Sequence, residues 1–166
     1  MARKKQQNLW NKIIYLFLTF AVFICADSYL SDFVVSNITD GYNFPSNPVI
    51  TLNYVKNTGA AFSILHEYPY LLIALSVVAL IFLFVYIIRH AGTMTYVGIF
   101  WLSLMMSGIF CNLIERVHLG YVRDYFYLLQ FDFPIFNVSD IFINVSVVAI
   151  VILLLKRAQL KQLWNF

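Results

Sequence analysis

Charge is the scarcest property of this chain. Only 11% of its 166 residues are Asp, Glu, Lys or Arg, where a soluble domain carries about a quarter. Hydrophobic residues make up 61%, and the mean hydropathy is +0.78. So few polar groups could not cover that apolar surface in water, which excludes an ordinary soluble domain and makes a lipid bilayer the natural solvent. Cysteine is nearly absent as well. Cys25 and Cys111 lie within or at the end of apolar stretches and form no metal-ligand spacing such as C-x2-C. They read as free, buried, small hydrophobes, and nothing calls for a metal or another cofactor. The net charge of +3 is too small, and its basic residues too interleaved with apolar spans, for a nucleic-acid surface. Internal repeats and low-complexity segments are lacking, and the length fits one domain.

What the chain does have is long apolar runs. About 20 apolar residues in a helix, rising 1.5 Å each, cross a hydrocarbon core of roughly 30 Å. Ile13–Ala26 is unbroken apolar apart from Thr19 and reaches span length with its flanks. Tyr68–Ile88 and Met94–Ile114 carry no charge, and Pro134–Leu155 carries one, Asp140. Inside lipid every backbone amide needs an internal partner, so these four segments read as helices. The first does not read as a cleavable leader: Arg3, Lys4 and Lys5 precede it, but no small-x-small site follows. Ile24 before Cys25 is too bulky for a lipoprotein cleavage box.

Orientation follows from the basic residues. Arg3, Lys4, Lys5, Lys12, Arg89, Lys156, Arg157 and Lys161 fall on one side, and only Lys56, Arg116 and Arg123 on the other. Both termini are therefore expected in the cytoplasm. The acidic residues, from Asp27 to Asp140, then all lie at or toward the outer side. The first outer connection holds a strand-like run, Val49–Lys56, followed by a turn at Asn57-Thr58-Gly59. The second is rich in Tyr and Phe, which favour the headgroup zone. The expected fold is an all-α membrane protein: four transmembrane helices with a small extracytoplasmic, β-containing subdomain at the membrane surface. It forms one domain over residues 1–166, with spans at about 10–30, 68–88, 94–114 and 135–155 and outer loops 31–67 and 115–134.

Counting along these helices brings polar groups from four segments to one level. Asp27 lies about 22 Å beyond Lys12 and Asp140 about 24 Å before Lys156. Asn112, Glu115 and Arg116 end the third span, Asp124 follows, and Asn137 shares a helix face with Asp140. Carboxylates at membrane depth are costly, face the bundle interior and have a function. Two of them held close would share a proton, one acting as base and the other as acid, the state that activates water against an amide. Asp32, Asp40, Glu67 and Asp132 read as interfacial residues or caps, and Arg116 alone could be an interfacial anchor paired with Glu115. Spacing leaves three readings open: a hydrolytic pair Asp124 and Asp140, a proton- or ion-coupled transport relay, and a noncatalytic scaffold.

The ordered motifs discriminate among these. Asp27 after the first apolar segment, Asn57-Thr58-Gly59-Ala60-Ala61-Phe62-Ser63, Asn112-Leu113-Ile114-Glu115-Arg116, Gly120-Tyr121-Val122-Arg123-Asp124-Tyr125 and Phe136-Asn137-Val138-Ser139-Asp140 resemble the lipoprotein signal peptidases (signal peptidase II), in the order and among the spans of that family. The resemblance implies an aspartic endopeptidase of the bacterial cytoplasmic membrane. It would cut signal peptides from prolipoproteins just before a cysteine already carrying diacylglycerol, with catalytic aspartates at Asp124 and Asp140. It further implies that Asn57, Gly59, Asn112, Arg116 and Asn137 line the site, that Asp27 supports it, and that the cyclic peptide globomycin inhibits it. Diacylglyceryl-prolipoprotein and membrane lipid are the expected partners, and a monomer suffices.

Four positions depart from the family's pattern. Ser31 stands where Lys is frequent, removing a charge partner for Asp27. Cys111 stands where Gly is common, so helix packing there is expected to differ. Glu115 replaces Asp before Arg116. Tyr125 replaces a common Phe, and its added hydroxyl is expected to reach water or headgroups.

Overall fold

A computed structural model of the chain describes residues 2–39, 49–59, 68–131 and 133–163. It contains four helices and a two-stranded sheet in the order α1 (Ala2–Thr39), β1 (Ile50–Asn57), α2 (Pro69–His90), α3 (Tyr96–Leu119), β2 (Val122–Leu128) and α4 (Val138–Leu163). Each helix contains a segment long and apolar enough to cross a membrane: Gln6–Ile38, Pro69–His90, Tyr96–Leu119 and Val138–Arg157. The protein is thus a multi-pass membrane protein with a small sheet, as its composition required.

Local chemistry sets the helix ends. Proline opens α2 at its first turn, where the missing N–H costs nothing. At the start of α3, Thr95 Oγ1 accepts from the Gly98 amide at 3.1 Å. The same helix stops at Gly120, whose φ of 80° is left-handed and whose N–H bonds Arg116 O. That turn sends the chain straight into β2.

The third helix is the axis of the bundle. Half of its most apolar window is buried, against 11% for α1 and α2 and 17% for α4. The other three pack around it and otherwise face outward, as lipid-facing helices must. Leu16, Ile87, Ile99, Leu102 and Met106 form a buried apolar cluster. Phe23 of α1 meets Phe100 of α3 and Phe142 of α4 at ring-centroid distances of 5.4 and 5.5 Å. Thr19 donates to Ser103 at 2.8 Å, a polar link between α1 and α3. Small residues set the closest approach: a Cβ on Gly108 would stand 2.5 Å from Ser139 O and 2.9 Å from Ile143 Cγ1. The α3–α4 contact therefore tightens at Gly108, one turn before Cys111. At the opposite end, buried Lys12 donates to Met94 O at 2.7 Å and ties α1 to the α2–α3 turn.

Several boundaries differ from the sequence expectation. The first outer loop was expected from residue 31, but α1 continues to Thr39, with its Asp32 paired to Arg123 Nη1 at 2.7 Å. The third span continues from 114 to Leu119, and α4 begins at Val138 instead of 134 or 135 and runs to Leu163. The expected strand is β1, shifted by one residue. The Tyr- and Phe-rich stretch read as an interfacial loop forms a second strand, β2, antiparallel to β1. Asp40, Glu67, Asp132 and residues 60–63 of the N-T-G-A-A-F-S motif lie outside the described residues. Both cysteines are free, but Cys25 is exposed on the outside of α1 and only Cys111 is buried.

Candidate active site

The sheet and the first turn of α4 bring the predicted residues together. In the register, Val55 faces Asp124 and Asn57 faces Val122, with an irregularity between Leu52 and Val55. Phe136 forms a bridge with Phe126: Phe126 N–H bonds Phe136 O at 2.8 Å and Phe136 N–H bonds Phe126 O at 3.1 Å. The segment before α4 is therefore laid along β2, and Asn137 lands beside Asp124.

Asn137 then caps α4. Its Oδ1 accepts from the Asp140 amide at 2.8 Å, and Asp140 Oδ2 accepts from the Asn137 amide at 3.2 Å. This reciprocal pair is a capping box, with Asp in place of the usual Glu or Gln. It fixes the Asp140 carboxylate at a helix N-terminus, where negative charge is favoured.

The two aspartates share a ring of amide donors. Asn137 Nδ2 bonds both Asp124 Oδ1 and Asn112 Oδ1 at 3.0 Å. Asn112 Nδ2 bonds Asp140 Oδ1 at 2.9 Å, and Asn57 Nδ2 bonds Asp124 Oδ2 at 2.8 Å. One asparagine thus contacts both acidic residues. Asn57 Oδ1 accepts from Gly59 N at 2.9 Å. Arg116 donates to Gly59 O at 2.9 Å and Asn112 O at 3.2 Å, while its buried Nε has no partner among the described residues. Asp124, Asn137 and Asn112 are all buried. Burial first, and the charge of Asp140 second, raise the Asp124 carboxyl from its ordinary 3.8 to about 7; the bond from Asn57 and the charge of Arg116 offset part of this.

Asp27 stands one layer away. It is buried and accepts from Ser139 Oγ at 2.7 Å, so it touches the first turn of α4 and neither of the other aspartates. Among the described residues no three His, Cys, Asp or Glu side chains converge as a metal site. Chemically, the arrangement offers two carboxyls, one holding its proton to near neutrality, with the Arg116 charge acting on them.

Two expectations about neighbouring residues need correction. Glu115 does not pair with Arg116; it receives Arg123 through Nε and Nη2, both at 2.7 Å, and through the backbone N–H. Burial works against the Arg123 charge, but the bonds to Asp32 and Glu115 prevail and hold it more firmly protonated than usual. The Tyr125 hydroxyl reaches neither water nor headgroups. Tyr125 is fully buried, and its hydroxyl meets Ser31 Oγ at 3.0 Å. The sequence carries no direct sign of a role for Ser31, Tyr125 or Ser139; only the capping pattern N-x-x-D signals the turn beside them.

Comparison with known proteins gives the family of the chain. The family model for signal peptidase (SPase) II matches residues 19–156. A lipoprotein signal peptidase of Streptococcus thermophilus (strain CNRZ 1066) is 36% identical over 132 residues, covering 79% of this chain and 86% of the relative. One from Streptococcus pyogenes serotype M6 is 36% identical over 144 residues, covering 86% and 94%. A bacterial membrane enzyme solved by the in meso method at 2.3 Å superposes with a TM-score of 0.76 at 26% identity, covering 86% of this chain and 88% of the other. A second, solved at 1.9 Å, gives 0.73 at 27% identity over 85% and 92%. With the family model spanning most of its length and relatives matched nearly end to end, this chain belongs to the signal peptidase II family.

Proposed function

We propose that the protein is an aspartic endopeptidase that removes the signal peptide from diacylglyceryl-modified prolipoproteins, cutting just before the lipidated cysteine, with Asp124 and Asp140 as its catalytic pair. The observation that carries this reading is Asn137, whose side chain and backbone bond both aspartates at once. Two carboxyls so held do not both ionise readily, and their pair titrates as a unit. The ionised member removes a proton from water, and the protonated member polarises the scissile carbonyl and later protonates the leaving amine. In this reading Asn57, Gly59, Asn112, Arg116 and Asn137 line the cleft and hold substrate backbone or the catalytic carboxylates. Asp27 supports the turn through Ser139.

The reading also has the whole chain act as one catalytic unit and a monomer, with both termini in the cytoplasm of a bacterium and the cleft near the outer surface. The charged and amide groups at the site sit at one end of the bundle and do not thread a span, which favours hydrolysis over a transport relay. The test is incubation of the purified protein in lipid with a diacylated prolipoprotein, the product mass being read. The expected product begins at the lipidated cysteine, and globomycin blocks its formation. Uncut substrate, or cleavage elsewhere and insensitive to globomycin, rejects the proposal.

A further inference from the structure

The first turn of α4 has a second anchor outside the proposed catalytic cluster. Val138 is the first residue of that helix, and its N–H is one of those a helix cannot satisfy itself. It points at the Tyr125 hydroxyl, 3.4 Å away. That hydroxyl in turn meets Ser31 Oγ at 3.0 Å. Ser31, Tyr125 and Val138 are each buried, so water cannot replace a lost partner. Four residues before Ser31, on the same face of α1, Asp27 accepts from Ser139 Oγ at 2.7 Å. One face of α1 thus grips two consecutive residues at the start of α4, one directly and one through Tyr125. The gripped residues follow Asn137, and Tyr125 follows Asp124. Tyr125 N–H also bonds Phe136 O at 3.1 Å, so both flanks of Asn137 are tied to this tyrosine.

We propose that the buried Ser31–Tyr125 hydroxyl pair is a positioning device, which braces the first turn of α4 from α1 and so fixes Asn137 between the two carboxyls. Its role in cleavage rests on the reading given above, whereas the brace itself does not. Neither hydroxyl contacts the carboxyls, so both are positioning residues. Losing either strands the Val138 N–H or loosens the group that receives it, at the net cost of one buried hydrogen bond. The loss falls on the geometry of the reacting pair and not on substrate affinity.

The test uses the full chain in lipid nanodiscs, with Ser31→Ala, Tyr125→Phe and the double variant. Each single variant is expected to lower kcat by about 5- to 10-fold with KM within about 2-fold of wild type. The double variant is expected to fall no further than Tyr125→Phe alone, because the two groups act as one unit. Amide hydrogen exchange over residues 134–140 is expected to quicken by about tenfold in both singles, while α2 is unchanged. An unchanged kcat, a loss residing in KM, or singles whose effects multiply in the double would overturn the positioning role. Unaltered exchange at the start of α4 would overturn the brace. Exchange is read without turnover, so a wild type that does not cleave counts against the function alone, and faster exchange in the variants still upholds the brace. Ser31→Ala, the milder change, decides the matter if Tyr125→Phe does not fold.

Discussion

The two ends of the bundle are held together by different physics. Toward Lys12 the helices meet through Leu16, Ile87, Ile99, Leu102 and Met106, and a single buried amine ties the α2–α3 turn. Toward Asp140 the contacts are amide, carboxyl and hydroxyl hydrogen bonds among α1, α3, both strands and the first turn of α4. The apolar end should tolerate apolar side chains that conserve its volume. The polar end does not, because among the described residues most buried donors there, Arg116 Nε apart, have a designated acceptor, and a new orphan is costly. If the chemistry resides at the polar end, as proposed, substitutions in the two ends should separate into different observables.

The largest expected separation is at the carboxyls. Asp124→Asn or Asp140→Asn should lower prolipoprotein cleavage by about 10²–10⁴-fold or more, with thermal unfolding little changed, measured by gel shift and by melting in detergent. Next is Asn137→Ala, which removes both the bridge and the cap. It should reduce kcat by at least about tenfold and also cost about 1 kcal/mol of stability, so it registers on both axes. At the apolar end, Ile99→Ala should cost about 2 kcal/mol or more while leaving kcat per folded molecule intact. A large kcat loss there would erase the distinction between the ends.

The pH dependence sharpens the same contrast. Asp124 keeps its proton up to about 7, so activity that needs the singly protonated pair should fall as pH rises past about 7, by about tenfold per unit. The sign for stability is the same. The folded state binds this proton more tightly than an ordinary carboxyl at 3.8 does, so its contribution is lost as pH rises from about 4 through about 7. Melting temperature against pH, in wild type and in Asp124→Asn, isolates the term. The smallest effect belongs to Asp32, exposed at the rim: Asp32→Asn should cost no more than about 1 kcal/mol and leave cleavage alone.

The four apolar helices were legible because hydropathy is a local signal, and the ordered motifs name side chains that meet in space. Asn57, Gly59, Asn112, Arg116, Asp124, Asn137 and Asp140 do share one network, and Asp27 does stand beside it. What was not legible depends on partners distant in sequence. The segment Val122–Leu128 is rich in aromatic and β-branched residues, a strand signature, but the same composition suits a headgroup belt, and only pairing with β1 decides between them. Helix α1 outlasts the run Ile13–Ala26, and in that extension Asp32 meets Arg123, 91 residues away. The Tyr125 hydroxyl was read as a surface group because its partner, Ser31, is 94 residues distant. The reciprocal cap of Asn137 and Asp140, by contrast, was present in the spacing N-x-x-D and could have been read directly.

Asp124 and Asp140 are proposed to hold one proton between them near neutral pH. Difference infrared spectroscopy of the protein in nanodiscs measures this directly, through the carbonyl stretch of a protonated carboxyl. A band is expected at pH 6 that disappears with a midpoint of about 7 and is missing in Asp124→Asn. A spectrum with both carboxyls ionised from pH 5 to pH 9 would contradict it.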